Sequence, residues 1–235
     1  MLSPKEFYEY LGNKGVNFYT GVPDSLLKSF CGYVADHAKE ANNIVAANEG
    51  GAIGLAIGYH LATQNIPLVY MQNSGLGNSV NPILSLADKE IYSIPMLLLI
   101  GWRGEPEVKD EPQHLKQGRV MIPMLESMEI PYKILSGEIE KDKKLIDDVL
   151  SNIKKLNCPY AVIARKGVFE DYQYEEASKV KYLLSREGAI QMIVDSLEPK
   201  DFVVSTTGMT SREIYEYREE LKQDHGSDFL TVGGM

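Results

Sequence analysis

The sequence predicts an α/β protein: a doubly wound domain on a parallel six-stranded sheet, then the start of a second, smaller α/β unit. Three observations predict it. Short apolar runs alternate with amphipathic, helix-length segments from residue 16 to residue 164. Ile94 to Ile100 is apolar apart from Pro95, as a central parallel strand buried on both faces should be. Turn residues fall at the carboxyl ends of the apolar runs, in Gly21–Ser25, Asn73–Asn78 and Gly101–His114.

Bulk properties narrow the class further. The 235 residues carry a net charge of −9, with 44 % hydrophobic and 24 % charged residues. An acidic chain lacks the basic footprint that nucleic acid requires, so nucleic acid is not expected as a partner. An anionic ligand would have to be drawn by local donors against the field of the whole molecule. Cys31 and Cys158 are far apart, without Cys-x-x-Cys spacing, and read as reduced, buried thiols. No apolar run approaches membrane-spanning length and no signal peptide precedes Ser3, so a cytoplasmic protein without membrane contact is expected.

The elements follow in order. Ser3, Pro4 and Glu6 form a helix start, with Phe7, Tyr10 and Leu11 on its apolar face and Gly15 as its stop. Val16 to Tyr19 is the first strand. Asp24 or Ser25, in the loop that follows, would cap a helix running to about Ala38. The same loop reads equally as an anion site made of free N–H groups at a helix N-terminus. Ile44 to Ala47 is a short apolar strand, followed by Glu49 and a segment that is apolar or small on every side through Leu61. A helix without a polar face is expected to be buried. Gly50, Gly51, Gly54 and Gly58 each weaken it by up to about 1 kcal/mol, a cost consistent with close backbone approach to a neighbour or ligand. Taken alone, Glu49 reads equally as a carboxylate at the positive end of a helix dipole. No Lys or Arg lies between Lys39 and Lys89 to pair with it locally.

Pro67 to Met71 is the third strand. Gly75 and Gly77 do not complete a dinucleotide fingerprint, because position 80 is Val and the loop follows the third strand. Asn81 to about Glu90 is the next helix. The 101–114 segment is the longest without periodicity, at the carboxyl end of a strand where an active-site loop belongs. Arg103, Gln113 and His114 could meet an anionic substrate there, although a lone His is more often structural. Leu115–Met128 is a helix, Pro131–Leu135 a strand, and Glu138–Leu156 an amphipathic helix whose Lys and Asp run reads as a solvated face. Cys158–Ala164 closes the sheet. Residues 1–168 are read as the first domain, 169–184 as a linker and 185–235 as part of a second domain. Its elements are helices over Ala189–Leu197 and Thr210–Gln223 and strands over Phe202–Ser205 and Phe229–Val232.

Asn48-Glu49-Gly50-Gly51-Ala52, with Gly54, Ala56, Gly58 and Tyr59 after it, resembles the signature of the pyrimidine-binding domain of thiamine diphosphate-dependent enzymes. Within that family the likeness is to the phosphonopyruvate decarboxylases, with the sulfopyruvate decarboxylases as near relatives. It extends through Gly-Val-Pro-Asp-Ser at 21–25, Asn-Ser-Gly-Leu-Gly-Asn at 73–78, Asp-Glu-Pro-Gln-His at 110–114 and Thr-Thr-Gly-Met-Thr-Ser at 206–211. The resemblance implies that Glu49 contacts N1′ of the aminopyrimidine, and that Gly75, Leu76 and Gly77 touch the cofactor. Thr207 and Gly208 would contact it from the partial diphosphate-binding domain, as would Gly233 and Met235, the latter as an apolar wedge. Asp24, Ser25, Arg103, Gln113 and His114 would line the pocket for phosphonopyruvate. Glu49 and His114 would be catalytic, His114 relaying a proton near neutrality.

The resemblance also implies magnesium, and a second subunit that completes the active site in a homodimer or larger assembly. The family's Gly-Asp-Gly metal and diphosphate motif does not occur. The metal ligands are therefore expected outside this chain, which reads as a fragment that does not turn over alone. A natural split into two subunits would be expected near residues 170–185. Alternatives are a sulfopyruvate decarboxylase, a non-catalytic module that keeps the fold, and, last, a flavodoxin-like nucleotide-binding domain.

Overall fold

The structure is a computed structural model and describes residues 1–174, 183–206 and 208–232. The chain divides into two compact units, Met1–Glu176 and Ala177–Met235.

In the first unit, α1 (Pro4–Asn13) starts as its sequence predicts, with Ser3 Oγ accepting the Glu6 N–H and Pro4 in the first turn. Strand β1 (Tyr19–Gly21) begins where the expected strand ends. Helix α2 (Lys28–His37) has Leu27 at its N-cap and no side-chain cap. The expected cap is absent because Asp24 Oδ2 takes the Leu26 N–H at 2.9 Å, folding the loop ahead of the helix.

Strand β2 (Asn43–Val45) is an edge strand, with Ile44 and Val45 exposed despite their apolar character. Helix α3 (Glu49–Thr63) also departs from expectation. Ala52, Ile53, Ala56 and Ile57 are buried, whereas Leu55 and Leu61 on the other side are exposed. Apolar composition all round therefore accompanies a one-sided contact.

Strand β3 (Leu68–Gln72) leads through a single 3-10 turn, Asn73–Gly75, directly into α4 (Leu76–Pro82). The segment expected as a loop is thus the start of a helix, and the expected 81–90 helix ends early. Pro82 has no N–H, and the ladder after it widens to a π turn over Ile83–Ala87, closed by Asp88 N–H to Ile83 O at 2.8 Å. Strand β4 (Met96–Gly101) is buried throughout. Helix α5 (Pro112–Ser127) starts before the expected position, so Gln113 and His114 lie in its first turn.

Strand β5 (Tyr132–Ile134), α6 (Ile139–Leu156) and β6 (Pro159–Ala164) complete the unit. One member of the charged run on α6 is not solvated. Asp142 is fully buried and accepts the N–H groups of Ser136 and Gly137, each at 2.9 Å, at the head of its own helix.

The sheet has six parallel strands in the order β2-β1-β3-β4-β6-β5. Alternate residues feed two cores. Leu68, Tyr70, Leu97 and Leu99 face Phe7, Phe30, Ile146 and Val149 from α1, α2 and α6. Val69, Met71, Leu98 and Ile100 face Ile53, Leu76, Met121 and Leu125 from α3, α4 and α5. The stretch expected as a linker begins as part of this unit. Phe169 packs on Phe7 and Phe30, its segment bridges Leu2 in parallel, and the Tyr172 hydroxyl donates to Asp36 at 2.8 Å.

The second unit has α7 (Arg186–Asp195), β7 (Val203–Thr206), α8 (Met209–Glu220) and β8 (Asp228–Val232). Strands β7 and β8 pair in parallel, and Ile190, Val194 and Ile214 form the core. Among the described residues, no helix is long and apolar enough to cross a membrane, and both cysteines are free thiols.

Candidate active site

Several buried polar residues of the first unit, Asp24, Glu49 and Asn73 among them, stand at the carboxyl edge of the sheet, where open α/β sheets bind ligands. Glu49 opens α3 in the short connection after β2, with Asn48 as N-cap accepting the Gly51 N–H at 2.8 Å. Glu49 is 9 % exposed. Its Oε2 accepts the Asn78 Nδ2–H at 2.8 Å. The Glu49 side chain lies against Gly75, where any Cβ would overlap the carboxylate. Among the described residues, no hydrogen bond is made to Oε1. A buried carboxylate with one oxygen held and one open suits a protonated or N–H-bearing ring nitrogen. The Glu49 carboxylate, held by Asn78 and packed on Gly75, thus fits the ring nitrogen of an aminopyrimidine.

Leu76 is fully buried in the core, so its side chain is turned away from a ligand and only its backbone could serve one; Gly77 is exposed. Gly208, in the second unit, is the N-cap of α8 with φ +107°, directly after β7 and Thr207. Thr207, Gly233 and Met235 lie outside the described residues.

The second cluster is built from the loops after β1, β3 and β4. Arg103 donates through Nη1 to Ser25 Oγ at 2.7 Å, and through Nε to Asp110 Oδ2 at 2.8 Å. Its Nη2 also meets Asp110 Oδ1. Asn73, buried after β3, fixes the Arg103 backbone by donating to its carbonyl at 2.7 Å and accepting its N–H at 3.2 Å. Asp24 is buried beside this cluster, against Gly101 at the end of β4, and its Oδ1 has no hydrogen-bond partner among the described residues. Burial raises the Asp24 carboxyl above its ordinary value, against the opposing pull of the Leu26 N–H and Arg103.

His114 is half-buried in the first turn of α5. Burial, and then the Arg103 guanidinium, lower its pKa from 6.5, so at neutral pH it is the neutral imidazole; the expected titration near neutrality is displaced downward. Gln113 is exposed beside it. The structure therefore brings Asp24, Ser25 and Arg103 together, and joins Glu49 to the 73–78 segment. Sequence reasoning missed Asp110, Asn73 and Asn78 as individual residues. The available signal was their place inside polar loops at strand ends.

The fold is thus a doubly wound α/β domain with a buried carboxylate, packed on a glycine, at the carboxyl edge of its sheet. The chain belongs to the thiamine pyrophosphate (thiamine diphosphate) enzymes: residues 5–123 match the family described as thiamine pyrophosphate enzyme, N-terminal TPP binding domain. It is similar to phosphonopyruvate decarboxylase of Streptomyces hygroscopicus, with 29 % identity over all of this chain and 60 % of that protein. The chain thus spans about three fifths of that relative. It is also 34 % identical to sulfopyruvate decarboxylase subunit alpha of Methanococcus maripaludis, over 69 % of this chain and 94 % of that subunit. Benzoylformate decarboxylase from Polynucleobacter necessarius shares the fold, with a TM-score of 0.54 and 17 % identity over 90 % of this chain and 40 % of that one.

Proposed function

We propose that this chain forms the pyrimidine-binding part, and the start of the diphosphate-binding part, of a thiamine diphosphate- and magnesium-dependent decarboxylase that converts 3-phosphonopyruvate to phosphonoacetaldehyde and CO2. The observation that carries this reading is Glu49, buried at the start of α3 with one oxygen held by Asn78 and its flank against Gly75. The cofactor, when bound, supplies the electron sink for loss of CO2 from a 2-oxo acid.

The chain's own residues do the rest. Glu49 would hold a proton at N1′ of the aminopyrimidine, and Gly75, Leu76 and Gly77 would contact the cofactor through their backbone. Thr207, Gly208, Gly233 and Met235 are assigned to the cofactor from the second unit, and the magnesium ligands to residues outside this chain. Ser25 and Arg103 orient the anionic head of the substrate, and Asp24 and Gln113 are assigned to the same substrate. His114, neutral at pH 7, takes up and passes on the proton that C2 of the substrate gains after CO2 leaves. A second subunit completes the site, and the enzyme is cytoplasmic. Glu49→Gln is expected to abolish turnover in the complete, cofactor-loaded enzyme while circular dichroism and thermal unfolding stay at wild-type values. Near-normal turnover in that variant would sink the assignment.

Sulfopyruvate is the second reading, favoured by the 34 % identity to a sulfopyruvate decarboxylase alpha subunit. Turnover of phosphonopyruvate and sulfopyruvate, compared at equal concentrations, decides between them.

A further inference from the structure

Asp110 has no part in the reaction as proposed, yet its carboxylate accepts four hydrogen bonds, two at each oxygen. Its Oδ2 accepts from Arg103 Nε at 2.8 Å and from the Gly104 N–H at 2.7 Å. Its Oδ1 accepts from Arg103 Nη2 and from the Glu111 N–H at 2.8 Å. An ionised carboxylate has about four lone-pair positions. All are taken by Arg103, Gly104 and Glu111, so Asp110 has no capacity left for a ligand. The Arg103 guanidinium holds this carboxyl well below the usual carboxylate range, so it stays ionised.

Arg103 has the complementary arrangement. Of about five N–H donors on a guanidinium, Asp110 takes two and Ser25 Oγ one. One N–H on Nη1 and one on Nη2 remain unused among the described residues. Asn73 fixes the backbone of the same residue from both sides. The Arg103 and Asp110 side chains are only 18 % and 12 % exposed. A long, flexible cation is thereby held in one orientation before any ligand arrives, which removes an ordering cost from binding.

We propose that Asp110 is a positioning residue for anion recognition: it locks Arg103 so that the two spare N–H groups face the phosphonate or sulfonate of a 2-oxo acid. The inference rests on the reading of the site as one for an anionic 2-oxo acid. It also changes how the anion is selected. Asp110 cancels the net charge of Arg103, so the pair offers directed donors and little net field, in a molecule of net charge −9.

The test is calorimetric titration of the complete enzyme, loaded with thiamine diphosphate and magnesium, with 3-phosphonopropionate, a non-reacting phosphonate carboxylate, alongside turnover of phosphonopyruvate. Asp110→Asn is expected to weaken binding about tenfold and to raise KM by the same factor, with kcat changed less than about threefold. Arg103→Lys keeps the charge, loses the fork and leaves the Gly104 and Glu111 bonds to Asp110 in place; a similar weakening is expected. Adding Asp110→Asn to Arg103→Lys should produce no further loss. The inference is overturned if the wild type does not bind the probe, if Arg103→Lys binds as wild type, if the two losses add, or if Asp110→Asn lowers kcat and unfolding temperature while leaving KM and probe affinity unchanged. Probe binding that follows this pattern in a protein that turns over neither phosphonopyruvate nor sulfopyruvate would sustain the role of Asp110 and remove the decarboxylase reading.

Discussion

Gly75 has no side chain, and the Glu49 carboxylate fills the space where one would be. This packing makes the position sensitive to a single methyl group. Gly75→Ala must displace either the carboxylate or the start of α4. A displacement of about 1 Å at a reacting group costs on the order of 100-fold in rate, so kcat of the cofactor-loaded protein is expected to fall by about that factor. Steady-state kinetics checks it; a variant within twofold of wild type would mean that Glu49 is not the group whose placement matters. The place of Glu49 at the head of a helix was legible in the sequence, because it stands between a short apolar run and a glycine-rich apolar segment. Gly75 as its cradle was not: contact between residues 26 positions apart depends on how β2 and β3 sit in the sheet, and periodicity carries no such information.

At the scale of elements, α6 shows how a charged residue can be misread. Its Lys and Asp run looks solvated, and most of it is, but Asp142 turns inward and accepts the free N–H groups of Ser136 and Gly137, together with the Ser136 hydroxyl. It acts as a cap reached from inside the helix. Asp142→Ala would strand those donors away from water, at a cost of about 3 kcal/mol. Urea unfolding followed by circular dichroism reads this directly, and a loss below about 0.5 kcal/mol would show that water replaces the carboxylate. The 101–114 segment has the same lesson. Its length and charge marked it as functional, but its internal order comes from Asp110 bonding back to Arg103 and Gly104. Helix α4 began before the expected position because glycine and asparagine in 73–78 were read as loop formers, whereas the chain enters a helix directly from β3 and spends its irregularity after Pro82.

At the scale of the whole molecule, the two compact units rest on different amounts of core. The first has two apolar layers, one on each face of a six-stranded sheet; the core of the second centres on Ile190, Val194 and Ile214. The alternation of strands and helices made the doubly wound architecture legible from the sequence. The strand order and the exposed side of α3 were not, since both depend on what packs against what. Charge and tyrosine content concealed the role of residues 168–172. The Leu2 N–H donates to Val168 O at 2.7 Å, and Phe169 stacks into the Phe7 and Phe30 cluster, so the first residues and the stretch after β6 clasp each other. Phe169→Ala is expected to destabilise the first unit by about 3 kcal/mol through the cavity it leaves. A shift in the urea midpoint measures it, and an unchanged midpoint would show that the clasp lies outside the cooperative core.

The short segment from Asn73 to Asn78 ties together the two clusters of the candidate site. One end grips the backbone of Arg103 and the other donates to Glu49. It therefore acts as a ruler: the spacing between the group assigned to the cofactor and the group assigned to the substrate is set by a few residues of rigid helical turn. Lineages of this protein could vary the surrounding loops freely, but an insertion or deletion inside that ruler would change both grips at once. Substrate preference should evolve by exchanging side chains around it, with its length held constant.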